Sequence, residues 1–541
     1  MGLGYTPLSH KFKLKPISRR ALVQLKQQTY ADHIRDQIGF DGEGDLTDFM
    51  VRRGGELLLG GRINLNELVR EYGAPLEVVY TPQISTQITR MYAWAAEARQ
   101  RSAYPGRFLY AYATKANFAA EVVQTALRAG AHYETSAAAD LIIARNLFRQ
   151  GFIPNDRLIC CNGSKEPNYI AAIRDLRLDG CTGVTPILDD LDELEALLDT
   201  PAPLRFGVRE RAAGNRDGRH PGNDRFGLTT DEIATVVQRI AQSQHQLVVY
   251  HAMIGSQIED AEHFITTLRA SVEAYCHLRR HVPSLRYFNF GGGMPTSGYQ
   301  LGFRFDYEGF LTRLMATIAE VCAAHDLPPP DLIGEFGRYT VATHSLLLLE
   351  VGSVKAGQVD QPDWYLMNGS MMVSLPDALF VEGQEFVILP LDGWQHPLAA
   401  ARLAGRRTCD SDDVYPRPEC PPLLLPAGGS GMTLAICGIG AYQQMISGRG
   451  GVHHCLSPEP ARLIFTEHEG RLVSRYVPQQ DQATIMRLLG YQPRPMPHER
   501  SAALPVRGSA HALHSPQTVS LRRRLQQQRR ARSLRGSVAG D

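Results

Sequence analysis

The sequence predicts an α/β protein: a (β/α)8 barrel of the TIM type, followed by a C-terminal β-barrel or β-sandwich domain to which N-terminal strands contribute. Three observations predict it. Between about residues 108 and 336, β-rich runs alternate with stretches whose apolar residues recur at three and four, as helices covering a parallel sheet require. Eight such units fit into roughly 250 residues, the size of a closed barrel. Beyond about residue 345 the helical stretches vanish, and strand-like runs are separated by Gly and Pro.

The eight runs are FLYAYAT (108–114), AHYETS (131–136), RLICCN (157–162), TPILDD (185–190), LRFGVRE (204–210), LVVYHAM (247–253), RYFNFGG (286–292) and DLIGEF (331–336). AAEVVQTALRAG and DLDELEALL typify the helices between them. A doubly wound open sheet is the alternative, but no G-x-G-x-x-G follows the first run, so a dinucleotide site lacks support. The β domain reads as SLLLLEVGSVK, DWYLMN, FVILPL, LLLPAG, MTLAICG, ARLIFTE and LVSRYV, with ELLLGGRIN and LEVVYTP as N-terminal strands able to pair with it. The expected domains are 1–75, an extension with strands joining the β domain; 76–345, the barrel; 346–490, the β domain; and 491–541, a basic tail.

Composition excludes several classes. With 541 residues, 43% hydrophobic and 21% charged, the chain is neither fibrous nor built like a disordered one. No run reaches the eighteen apolar residues of a membrane span, and the first residues lack the apolar core of a signal peptide, so a cytoplasmic location is expected. Nine cysteines without repeated C-x-x-C spacing argue against a disulfide framework or structural zinc, and most read as buried thiols. No metal is assigned, and nothing in the sequence supports magnesium. The net charge of +1 conceals a basic end: residues 501–541 carry eight Arg against Asp541. That tail could touch nucleic acid or an acidic surface, although a solvated end is the plainer reading.

A barrel carries its active site at the C-terminal ends of its strands. There the sequence places Lys115, Glu134, Asn162, Arg209, Ser256, Gly291–Gly293, and Glu335 with Gly337 and Arg338. Lys115, one of seven lysines, closes an otherwise uncharged strand. Desolvation would lower its pKa and free the amine to attack a carbonyl; the alternative is a lysine paired with Glu134. The glycine triplet, Ser256 and Arg338 suit a phosphate. Pyridoxal phosphate combines an aldehyde with a phosphate, and Glu335 is placed to keep its pyridine nitrogen protonated.

YATKAN, YETSAAADL, CNGSKEPNYI, DRFGL, HAMIGSQI, FNFGGGMP, GEFGR, TCDSDDVY and GIGAY, in that order over about residues 50–480, resemble the fold type III, alanine-racemase-like pyridoxal phosphate decarboxylases of basic amino acids. SLPDALFVEGQEFVILPL (374–391) and FGVRERAAGNRDGRHPGNDRFGL (206–228) are most similar to the biosynthetic arginine decarboxylases. The resemblance implies decarboxylation of L-arginine to agmatine, feeding polyamine and spermidine synthesis, with diaminopimelate, ornithine or lysine as alternative substrates. An inactive regulatory homologue is a further alternative, and the C-D-S-D-D motif argues against a racemase.

By the same resemblance Lys115 joins the cofactor aldehyde, and Glu335 faces the pyridine nitrogen. Ser256, Gly291, Gly292, Gly293, Arg338 and Tyr442 hold the phosphate, with Glu134, Arg209, Met253 and Gly337 completing the cofactor site. Cys409 supplies a proton to Cα, while Asp410, joined by Asp412 and Asp413, meets the distal cation of the substrate. The C-D-S-D-D motif implies a head-to-tail homodimer with shared sites. Two departures stand out: Met253 occupies the position of a cofactor-stacking His, and Phe336 replaces Pro in E-P-G-R.

Overall fold

The computed structural model describes residues 27–211, 225–358, 361–381, 384–406 and 411–491. Eight parallel strands close a barrel in chain order: β1 Phe108–Ala113, β2 His132–Thr135, β3 Ile159–Cys161, β4 Val184–Leu188, β5 Arg205–Arg209, β6 Gln246–His251, β7 Tyr287–Asn289 and β8 Asp331–Phe336, with β8 pairing back onto β1. The covering helices are α1 Pro82–Arg101, α2 Ala120–Arg128, α3 Ala138–Arg149, α4 Pro167–Leu178, α5 Leu191–Leu198, α6 Thr230–Ala241, α7 Ala261–His281 and α8 Tyr307–Ala324. Helix α1 precedes β1 and packs against both α8 and α2, closing the helical ring where the chain leaves the barrel after β8.

Strand alternation sorts the barrel interior into layers. Leu109, Ala111, Cys160, Ile187, Val249, Tyr287 and Ile333 belong to one apolar cluster. Two residues further along the same strand faces come Asn162, His251, Asn289 and Glu335, and Glu134 pairs in register with Cys160. Thus the layer next to the C-terminal rim is polar. Gly207 faces the packed layer, since a Cβ there would lie 2.4 Å from Ile187 Cδ1.

The β domain forms a second sheet around Ser345–Lys355. As expected for LEVVYTP, Leu76–Tyr80 pairs antiparallel with Ser345–Lys355, and it also runs parallel to Ala461–His468. ELLLGGRIN does not join. Glu56–Leu59 instead lies in a separate four-stranded meander with Gly44–Asp45, Met50–Arg53 and Ile63–Asn64, because tight turns let its neighbours in sequence satisfy its edges first. Leu398–Gly405 is a strand absent from the sequence reading: four of its eight residues are alanines, which have low strand preference, and pairing with Asp363–Met367 imposes the conformation. Cys160, Cys161, Cys181, Cys276, Cys322 and Cys437 are buried free thiols, as read from the sequence. Among the described residues no helix is long and apolar enough to cross a membrane.

Candidate active site

A cavity of about 470 Å³, counted to its open mouth, lies at the C-terminal end of the barrel. Lys115, Met253, Ser256, Glu335, Arg338 and Tyr442 contribute to its wall, with Gly292, Gly293 and Gly337. Sequence reasoning named all nine.

Lys115 stands in a 3₁₀ turn, Thr114–Ala116, directly after β1. The turn is held from both sides. Thr114 Oγ1 donates to the Glu134 carbonyl at 2.8 Å, Asn117 Nδ2 donates to the Gly440 carbonyl at 2.9 Å, and Tyr442 N–H donates to the Ala116 carbonyl at 2.7 Å. The β domain therefore supplies part of the rim. Lys115 Nζ is 3.9 Å from Glu134 Oε1, with the lysine side chain 49% exposed towards the cavity and the glutamate wholly buried. Glu134 raises the Lys115 pKa, outweighing burial. This reverses the expected depression: the acid comes from β2, brought alongside by strand pairing. Burial in turn raises the Glu134 pKa, with Lys115 opposing, and Oε2 of Glu134 has no partner.

Glu335 lies next to the end of β8, the strand paired with β1, and shares the cavity wall with Lys115. Its Oε1 accepts from Asn289 Nδ2 at 2.7 Å and from Asn162 Nδ2 at 3.0 Å, and the same Asn162 amide donates to Glu134 Oε1 at 2.8 Å. One amide thus ties the two carboxylates. His251 Nε2 lies 3.6 Å from Glu335 Oε2, and burial lowers the His251 pKa, so the ring is neutral. Asn289 was not singled out in the sequence, although a polar residue inside FNFGGG is the kind of signal that could have found it.

The anion-binding features converge. Arg338 donates to Ser256 Oγ at 3.0 Å and to Asp377 Oδ2 at 3.2 Å, and its guanidinium carbon lies 4.3 Å from the Tyr442 ring centroid. Arg338 Nε is buried without a partner. Asp377, another residue the sequence reading missed, is buried and also accepts from Gln443 Nε2 at 3.0 Å. Gly291 and Gly293 have φ of +69° and +100°, and a Cβ on Gly292 would sit 2.6 Å from the Glu335 carbonyl oxygen, so the triplet is required by close approach of backbone. Two of its amides are engaged: Gly291 N–H donates to Asn289 Oδ1 at 2.9 Å, and Gly292 N–H to Met253 Sδ at 3.4 Å.

Other candidates fall elsewhere. Arg209 turns towards Asp189, 3.9 Å away, with its guanidinium 4.7 Å from the Phe226 ring centroid, outside the cavity wall. Asp413 is buried, its Oδ1 accepting from Ser370 Oγ at 3.1 Å and Met372 N–H at 2.9 Å, which commits it to capping the short helix Met371–Ser374. Asp412 is exposed beside it. Cys409 and Asp410 lie outside the described residues. Phe336 packs 4.5 Å from Tyr110, centroid to centroid, and Gly334 provides the room: a Cβ there would meet the Phe336 ring at 2.4 Å.

This donor set fits pyridoxal phosphate: an amine for its aldehyde, a carboxylate for its pyridine nitrogen, and an orphaned guanidinium N–H, a serine hydroxyl and a glycine turn for its phosphate. Residues 90–342 match the family model for the pyridoxal-dependent decarboxylase, pyridoxal binding domain. The match runs from within α1 to just past β8, so it takes in the barrel. A biosynthetic arginine decarboxylase of Deinococcus radiodurans is 28% identical over 274 residues, covering 46% of this chain and 40% of that protein. Biosynthetic arginine decarboxylase 2 of Synechocystis sp. is 27% identical over 338 residues, covering 55% and 50%. The chain spans about half the length of the curated relatives it matches. In fold, it is similar to the crystal structure of the Campylobacter jejuni biosynthetic arginine decarboxylase, with a TM-score of 0.72 at 20% identity over 85% of this chain and 91% of that one. It is also similar to diaminopimelate decarboxylase from M. jannaschii, with a TM-score of 0.66 at 21% identity over 83% and 99%. At these identities the two likenesses are of fold alone.

Proposed function

We propose that the protein is a pyridoxal-phosphate-dependent decarboxylase, a carboxy-lyase that converts L-arginine to agmatine and carbon dioxide in the cytoplasm, in the service of polyamine synthesis. The observation that carries this reading is Lys115 beside Glu134 and on one cavity wall with Glu335. The names of the similar arginine decarboxylases support the substrate.

When bound, the cofactor would supply an electron sink for the pair left behind as carbon dioxide departs. The residues prepare for that. Lys115 Nζ must shed a proton before it can attack an aldehyde, and Glu134 Oε1, 3.9 Å away and made more basic by burial, is the neighbouring acceptor. Asn162 and Asn289 both donate to Oε1 of Glu335, which leaves Oε2 to face a ring nitrogen. Arg338, Ser256 and Gly293 would hold the phosphate, while Asp377 and Tyr442 fix the Arg338 guanidinium in place. Met253 would wall one side of the ring, contributing about 0.3–1.5 kcal/mol of thioether–aromatic contact without the hydrogen bond or charge of an imidazole.

Active sites shared across a homodimer would bring Cys409 to protonate Cα, and Asp410 with Asp412 to grip a guanidinium. A carboxylate offers that planar fork two hydrogen bonds. Asp413, occupied by Ser370 and Met372, is left out of this role. A second reading, a homologue that binds and regulates a related enzyme without turnover, is favoured by Met253 and its capture of the Gly292 amide.

The test is carbon dioxide release from arginine, ornithine, lysine and diaminopimelate, with and without added cofactor. Arginine is expected to be the fastest substrate, and Lys115→Ala is expected to abolish turnover and the visible, borohydride-sensitive absorbance. Bound cofactor without release from any of the four would favour the regulator. Full activity in Lys115→Ala would overturn the mechanism.

A further inference from the structure

The sequence assigns no metal site, yet the barrel helices assemble three potential ligands that do not adjoin in the chain. Glu273 and His277 lie one turn apart on α7, so both side chains share a face. His325 follows the last residue of α8 and reaches that face. His325 Nε2 is 2.6 Å from Glu273 Oε2, and the His277 and His325 rings meet edge to face with centroids 4.9 Å apart. The three ligand atoms all lie within 4.8 Å of one another. Among the described residues this is the only such His/Cys/Asp/Glu group.

We infer that Glu273, His277 and His325 form a zinc-binding site that clips α7 to α8. Two imidazoles and one carboxylate are a donor set suited to Zn²⁺, with a water as fourth ligand. Metal–ligand bonds of about 2.0–2.2 Å allow ligand atoms no more than about 4 Å apart, so the cluster must contract by roughly 1 Å. His277 is exposed and can rotate to do so. The ion would replace the His325–Glu273 hydrogen bond with two coordinate bonds. Two cations are nearby: Arg280 donates to the main-chain carbonyl of His325 at 3.1 Å, and Arg269, paired with Glu320 at 2.8 Å, also feels the Glu273 charge.

Two features define what the site does. In a parallel β/α barrel the helices run opposite to the strands, so the ends of α7 and α8 carrying these residues lie towards the face remote from Lys115. The site is therefore structural, and joins residues 52 apart in sequence. Beneath it, Cys276 and Cys322 are buried on the same two helices with sulfurs 3.6 Å apart, a softer pair that could compete for the ion.

The experiment uses the full chain without a polyhistidine tag, stripped with chelator and titrated with zinc chloride by calorimetry, then with cobalt(II) as a spectroscopic probe. The expected result is one zinc per chain and a higher unfolding temperature at saturation. His277→Ala, at an exposed position, should retain the wild-type circular dichroism but bind zinc at least tenfold more weakly. Bound cobalt should show no thiolate charge-transfer band. Absence of zinc binding, unchanged affinity in His277→Ala, or a thiolate band would each overturn the assignment.

Discussion

Asn289 offers the most informative perturbation of the rim. Its wholly buried amide does two jobs: Nδ2 donates to Glu335 at 2.7 Å, and Oδ1 accepts the Gly291 N–H at 2.9 Å. Asn289→Ala removes a hydrogen bond to a carboxylate, worth about 1.5–3 kcal/mol, and strands a buried N–H at about 1–3 kcal/mol. A water entering the vacated space would recover part of this, leaving a net destabilisation of about 3 kcal/mol. Because the same amide aims Glu335 and anchors the glycine turn, cofactor affinity is expected to fall by about 10–100-fold, the equivalent of roughly 1.4–2.8 kcal/mol. Asn289→Asp separates the two jobs. It keeps the acceptor for Gly291 but sets a further carboxylate against Glu335, already beside Glu134, so one of the group must take a proton. Its stability should therefore recover as pH falls towards the carboxylate range, which Asn289→Ala should not do. Urea unfolding at pH 8 and pH 5.5, with titration of pyridoxal phosphate followed by absorbance, reads both effects. An Asn289→Ala protein within 0.5 kcal/mol of wild type and with unchanged cofactor affinity would refute the reasoning.

Three further outcomes are expected. Gly292→Ala places a Cβ 2.6 Å from the Glu335 carbonyl oxygen, so the protein should fold with a displaced turn and bind cofactor at least about tenfold more weakly, measured by the same titration. Glu77 is buried with Arg462 at 3.0 Å and Arg449 at 3.3 Å; burial opposes its charge but the two arginines hold its pKa below the usual value, and Glu77→Ala should cost about 3–5 kcal/mol in urea unfolding. His132 has its pKa lowered to about 4 by burial, chiefly, and by Arg157, and its Nδ1 accepts the Leu158 N–H at 3.1 Å, so the ring must be neutral in the fold. The unfolded chain takes up that proton first, near pH 6.5, so this contribution is complete above that pH and is lost as pH falls to 4, on the order of 3 kcal/mol in all. His132→Asn should flatten the fall in stability across that window, measured as the urea midpoint from pH 7 to pH 4.

Amino-acid order by itself determined the barrel and the face on which its chemistry gathers. Alternating periodicities of two and about 3.6 dictate a parallel sheet under helices, and strand ends then point Lys115, Ser256, the glycine triplet, Glu335 and Arg338 to one rim. Those residues are legible because each breaks an otherwise apolar or featureless run. Tertiary structure alone decided which of them meet. Strand pairing set Glu134 against Lys115 and so reversed the expected direction of its pKa. Chain segments 46 and 39 residues apart supplied Asn289 to Glu335 and Asp377 to Arg338, while Asp413 was drawn to Ser370 and Met372 and Arg209 towards Asp189. Helix packing likewise brought His325 to Glu273 and His277. Local pattern is encoded by neighbours in sequence, whereas the energy of a buried charge depends on what packing places within a few ångströms of it, and no periodicity carries that information.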